Sequence, residues 1–172
     1  LAGAVALAQG PLHTLVPEDY LARAAAFALR GLASWATGYL EVAQASYEQC
    51  LPEFERIGHL GDYLGCSLAL ADMQLARGRL RAARTTFERA LALVAARGGV
   101  PRGTADMHTG LAAVLVELGD LDAARASLER SEDLGELGAL PQNPYRLRVV
   151  RARIAEAGGD LDAAAALLDE AA

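Results

Sequence analysis

Apolar side chains return every three or four residues along most of this chain, with polar ones between them. That spacing predicts amphipathic helices. The pattern also repeats on a longer scale. "ARGRLRAARTTFERA" (76–90), "LGDLDAARASLERS" (118–131) and "GGDLDAAAALLDEA" (158–171) are near copies of one phrase. Aligned on Gly38, Gly78, Gly119 and Gly159, the copies lie 40, 41 and 40 residues apart. Two positions on stand Leu40, Leu80, Leu121 and Leu161. Five on stand Ala43, Ala83, Ala124 and Ala164. Nine on come the larger Tyr47, Phe87, Leu128 and Leu168, and twelve on the small Cys50, Ala90, Ser131 and Ala171. Seven before each glycine is another small residue: Gly31, Ala71, Ala112 or Ala152.

The columns have a mechanical meaning. Small residues let two helix backbones approach, and the large residue fills the groove beside them. Each glycine suits a helix C′ position, where a left-handed backbone is cheap for it. Asp120 and Asp160 come next as N-caps. Each copy is therefore read as helix A, tight turn, helix B. Helix A is expected at 19–37, 62–77, 104–118 and 144–157. Helix B is expected at 39–57, 79–97, 120–136 and 160–171. "VPED", "GHLGD", "GGVPRG" and "GALPQNP" break the chain between copies, and Asn143-Pro144 reads as an N-cap with proline at the first helical position. Residues 1–15 fall where an earlier helix B belongs, with Gly3, Leu7 and Gly10 in the small, large and small columns. The expected organisation is one superhelical domain over 1–172, with repeats at 19–58, 62–98, 104–138 and 144–172.

Composition sharpens this picture. Hydrophobic residues make up 53% of the 172, mostly Ala and Leu, and β-branched and aromatic residues are too sparse for a sheet. The net charge of −6 argues against nucleic-acid contact by this stretch. All sixteen cationic residues are Arg, read as the codon bias of a GC-rich bacterial genome. Two cysteines cannot make a disulfide framework, which points to reducing cytoplasm. No apolar run reaches the ~18 residues of a membrane span, and the apolar start lacks the basic flank of a signal peptide. The missing initiator Met and the two apolar ends suggest a piece of a longer array.

"AARTTFERA" (82–90) resembles the A-x3-F-x2-A run of tetratricopeptide (TPR) repeats. The period is longer than the usual ~34 residues. The closing Pro is replaced by Glu55, Ala95 and Glu136. The helix A aromatic is kept only as Phe27, with Ser67, His108 and Arg148 in the other copies. Long Ala- and Leu-rich repeats such as 69–93 and 110–135 are similar to the sensor domain of MalT-like regulators. These are ATP-dependent bacterial transcription activators of the LuxR type. The resemblance covers about residues 15–172 and implies an all-α fold, a right-handed α-solenoid of antiparallel helix pairs. It implies a cytoplasmic signal-transduction module that senses a small-molecule inducer or a partner protein and controls multimerisation of the whole regulator. The family's P-loop and helix-turn-helix domains are not in this chain, which has no GxxxxGK[ST] and no Lys. No cofactor and no metal are expected here, and neither nucleic acid nor membrane is an expected partner. Self-association is open.

The family's inward-facing helix A columns map onto Leu32, Trp35 and Ala36; Leu68, Asp72 and Leu75; Asp106, Thr109, Val116 and Glu117; and Arg146, Val149, Arg153 and Glu156. Trp35, Asp72, Asp106, Thr109, Glu117, Arg146 and Arg153 are the candidate binding residues. An indole platform with a few orienting polar groups suits a small polar ligand or a peptide. Asp72 and Asp106 would accept hydroxyl protons from a sugar, and Arg146 and Arg153 would suit a carboxylate or phosphate. Plainer roles stand beside these: Trp35 as filler between repeats, Asp72 as a solvated charge, and Arg146, Arg148, Arg151 and Arg153 neutralised by Glu132 or Glu136. His13, His59 and His108 are too scattered for a metal site, and His108 is expected near the core. Cys50 is expected to be packed and Cys66 partly exposed. No nucleophile, acid–base or metal constellation appears, so an enzyme is not expected. The competing reading is a generic TPR adaptor that binds a peptide in its groove.

Overall fold

A computed structural model describes residues 19–169. All regular structure among them is helical: α1 (Tyr20–Ala36), α2 (Leu40–Ile57), α3 (Leu60–Ala76), α4 (Leu80–Arg97), α5 (Thr104–Glu117), α6 (Leu121–Gly138), α7 (Asn143–Ala157) and α8 (Leu161–Asp169). Helix pairs joined by tight turns are the class of fold that the columns imply. The helix expected over residues 1–15 lies outside the described residues, as does Ala171.

The four aligned glycines end four helices in the same way. Gly38, Gly78, Gly119 and Gly159 have φ of +82°, +69°, +78° and +84°. Beyond each, a backbone N–H turns back to close the helix. Tyr39 donates to the Ser34 carbonyl at 2.8 Å, Arg79 to Gln74 at 2.8 Å, Asp120 to Leu115 at 2.9 Å and Asp160 to Ala155 at 2.9 Å. This is the Schellman arrangement, and it needs a left-handed residue. The start of the next helix differs between copies. Asp120 and Asp160 accept from the N–H groups of Ala123 and Ala163 at 3.2 and 3.0 Å. Tyr39 and Arg79 hold the same place and provide no side-chain cap.

The columns become the core. Ala43, Ala83 and Ala124 are fully buried, as are Cys50, Phe87 and Ala90, and Tyr47 and Leu128 nearly so. Gly31, Ala71, Ala112 and Ala152 are buried as well. The fourth copy departs at α8, where Leu161 is 66% and Leu168 49% exposed. Among the described residues α8 packs chiefly on α7, so its other apolar face meets solvent.

Two compact units divide the chain, one up to Met73 and one from Gln74. In the first, α1 lies against α2, and Gly31 makes room for Tyr47: a Cβ at Gly31 would stand 2.9 Å from the Tyr47 ring. In the second, α5 is central and packs on α4, α6 and α7. Its core joins Ala112, Ala113 and Leu115 of α5 to Ala124 and Leu128 of α6 and to Val150 and Ile154 of α7. Phe87 of α4 presses so closely on α5 that a Cβ at Gly110 would lie 2.3 Å from its ring. One repeat later, Leu128 and Val150 hold the matching positions in the same cluster. A smaller knob there faces a larger neighbour.

Gly110→Ala therefore tests this fit. The added methyl raises helix propensity by up to ~1 kcal/mol but overpacks a filled site at ~1–3 kcal/mol. We expect a lower urea midpoint, partly restored by adding Phe87→Leu.

Candidate functional site

The candidate binding residues fall into two environments. Asp106 and Thr109 lie inside the second unit with no exposed surface. The reason is the position of α5, which has helices on three sides. Asp106 reaches the connector after α6, where its Oδ2 accepts the Leu140 N–H at 2.8 Å. That connector is also held by Arg102, whose Nε donates to the Ala139 carbonyl at 2.9 Å, and by the Gly103 N–H, which donates to the Gly138 carbonyl at 2.9 Å. Asp106 thus fastens one inter-repeat loop.

Thr109 belongs to a closed polar ring. Its hydroxyl donates to Asn143 Oδ1 at 2.9 Å, the Asn143 Nδ2 donates to Ser131 Oγ at 3.3 Å, and the two hydroxyls of Ser131 and Thr109 bond at 2.9 Å. The ring ties α5, α6 and α7 together, and all three side chains are buried. Low surrounding polarity strengthens each bond and makes the loss of any one costly. It also corrects one expectation. Asn143 is not the N-cap of α7. Gln142 holds that place without a side-chain bond, and Pro144 lies in the first turn. Two buried hydroxyls claim the Asn143 amide instead.

The remaining candidates reach the surface. Glu117, at the end of α5, forms an ion pair with Arg153 of α7, each side chain 37% exposed. Arg146, Val149 and Arg153 share one face of α7 at helical spacing, and all three are half-buried. With Val116 of α5, also half-buried, they make a mixed apolar and charged face on helix A positions. A carboxylate arriving there would compete with Glu117 for the Arg153 guanidinium. In the first unit, Trp35 is 42% exposed near the end of α1, and Asp72 of α3 is half-buried.

The repeat columns do not single out an open cleft of about 250 Å³ between α6 and α7, lined by Leu147, Arg148, Arg151, Glu132 and Glu136 over Ser131 and Asn143. Arg151 pairs with Glu132, as the proximity of acids to this basic cluster suggests. The helix is interrupted beside the cleft at Gly135, with φ +57° and ψ −160°. "LGELG" is the available signal, but two glycines among good helix formers do not say which one breaks the helix.

His108 is half-buried in α5, and burial together with Arg130 holds its pKa below the usual histidine range. Cys66 is buried rather than partly exposed. The influence of the Cys66 side chain, together with burial, pushes the Cys50 thiol well above the usual range. Burial and the two nearby sulfurs push Tyr47 up to about 12. Among the described residues no three His, Cys, Asp or Glu side chains stand where they could hold a metal ion. No helix of the described residues is long and apolar enough to cross a membrane.

Comparison with known proteins gives a family and a fold. The model of the MalT-like TPR region matches residues 2–172. No curated protein matches. Among solved structures, the crystal structure of BtubC (BKLC) from P. vanneervenii is similar, with a TM-score of 0.76 and 19% identity. The match covers 99% of this chain and 71% of that one. At that identity the likeness speaks for the fold alone.

Two measurements test the buried groups. Thr109→Val keeps the shape but strands Asn143 Oδ1 and leaves Ser131 Oγ only its bond from Asn143 Nδ2, and should cost ~1–3 kcal/mol of unfolding free energy. For His108, the unfolded chain takes up a proton that the folded chain resists. Stability should hold above the ordinary histidine pKa and fall as pH drops below it. His108→Gln should flatten the urea midpoint between pH 7.5 and pH 5.5.

Proposed function

The chain belongs to the family of MalT-like TPR regions, and on that footing we propose that it is the sensing segment of a larger bacterial transcriptional regulator of the LuxR type. The family match over residues 2–172 carries this reading. An inducer or partner protein binds the exposed helix A positions within one unit, those that the family pattern turns toward the groove, and shifts the whole regulator between resting and multimerising states. Such a shift requires the ligand to bind one state more tightly than the other. In the second unit the face comprises Glu117, Arg146 and Arg153 around Val149. In the first unit Trp35 and Asp72 supply an aromatic surface and a carboxylate. Asp106 and Thr109 support the face from within rather than touching the ligand.

The openness of this surface favours a second reading, a TPR adaptor that takes a peptide. Val116 and Val149 supply apolar contact, and the Glu117–Arg153 pair offers both signs of charge. Binding in either form is carried by side chains alone, with no cofactor and no chemical step. The cytoplasm is the compartment this role requires.

Thermal-shift screening of the chain with sugars, carboxylic acids, phosphates and peptides tests the proposal. A ligand at one hundred times its dissociation constant stabilises by ~2.7 kcal/mol. We expect one class to do so and Arg153→Ala to weaken it. Saturable peptide binding without any small-molecule shift would replace the sensor with the adaptor. Failure of every class would remove both.

A further inference from the structure

The open cleft between α6 and α7 is separate from the helix A face. Arg146, Val149 and Arg153 occupy one side of α7, and Pro144, Leu147, Arg148 and Arg151 occupy the opposite side at helical spacing. Two cations and two anions line the cleft. Arg151 and Glu132 neutralise each other. Arg148 of α7 and Glu136 of α6 are left over. Among the described residues neither side chain has an ion pair or a hydrogen bond, and the two do not pair with each other. Leu147, Pro144 and Ala139 supply apolar lining. Asn143, only 4% exposed, also lines the cleft. One of its Nδ2 protons goes to Ser131 Oγ, and the other has no acceptor among the described residues. A buried amide proton in that state costs free energy until an acceptor arrives. Gly135, beside Glu136, has a φ of +57° and a ψ of −160°, a region that only glycine enters cheaply. No side chain fills the cleft at that point.

We propose that this cleft is a binding site for a free α-amino acid with an apolar side chain. The ligand's carboxylate accepts from the Arg148 guanidinium, whose planar fork suits a carboxylate, and from the spare Asn143 Nδ2 proton. Its ammonium pairs with Glu136, and its side chain lies on Leu147 and Pro144. A zwitterion answers both leftover charges at once. A simple carboxylate would leave Glu136 without a partner, and a simple amine would leave Arg148 without one. The cleft volume of about 250 Å³ lies just below the ~300–1,000 Å³ of sites for drug-sized ligands, which limits the occupant to a small molecule. Because α6 and α7 come from successive repeats, the bound amino acid bridges them over Ser131 and Asn143.

Isothermal titration calorimetry of the full chain with L-leucine, L-methionine and L-phenylalanine tests the proposal, beside the amide and the N-acetyl derivative of each, which keep one charge only. At least one of the three amino acids is expected to bind saturably, one molecule per chain. Each of its blocked forms should bind roughly tenfold more weakly or worse, a factor equal to ~1.4 kcal/mol. Arg148→Gln and Glu136→Gln should each weaken the amino acid by a similar factor. Neither removes a side-chain bond within the described residues, so the helical circular dichroism should be kept. Arg125→Gln, on α6 outside this cleft, should leave the affinity as it is. No saturable binding of any of the three at about 10 mM, equal affinity for a blocked form, or undiminished binding in either cleft variant would each overturn the proposal. If a cleft variant does not fold, the blocked ligands on the unaltered chain decide.

Discussion

Close approach of helix backbones is the constraint on which the rest depends. A methyl group, a thiol or a hydrogen stands at each contact, and one bulky side chain fills the space beside it. Ala83, Phe87 and Ala90 make the clearest example, all three without exposed surface. Dense packing of this kind leaves little freedom in side-chain volume. Where the knob is Phe87 its neighbour is glycine, and where it is Leu128 the matching neighbour is Val150. Sequence variation among the copies thus preserves volume more than identity.

Much of this was legible because the period repeats the same instruction. The Gly38 column marked four helix ends, and all four glycines have the left-handed backbone that a Schellman turn requires. Helix limits agree with expectation to within two residues at most ends. The tertiary surroundings were not legible. Thr109 lies on a face that the family pattern points inward toward a groove, yet α7 and its preceding loop cover it. Asn143 carries every local mark of a cap, but two hydroxyls from other helices compete for its amide. Periodicity reports which face a residue occupies, and it does not report what lies over that face.

The candidate site was legible in the same uneven way. Glu117 and Arg153 come from different copies, and the structure brings them into one ion pair. The pattern offers Asp106 as a hydroxyl acceptor, and it does accept a hydrogen bond, but from the Leu140 backbone. Its buried carboxylate helps fix the loop that carries the chain into α7. The binding face and the interior polar groups therefore lie on the same two helices. A ligand that shifts α7 against α5 would pull on the ring of Thr109, Ser131 and Asn143 directly.

The uneven capping of the B helices has its own effect on local motion. Asp120 and Asp160 anchor the first turns of α6 and α8. α2 and α4 begin behind Tyr39 and Arg79, whose side chains make no cap bond to the opening amides. Among the B helices, transient fraying is thereby biased toward the starts of α2 and α4. Slow hydrogen exchange belongs at the aspartate-capped turns, and the quicker breathing begins at Leu40 and Leu80.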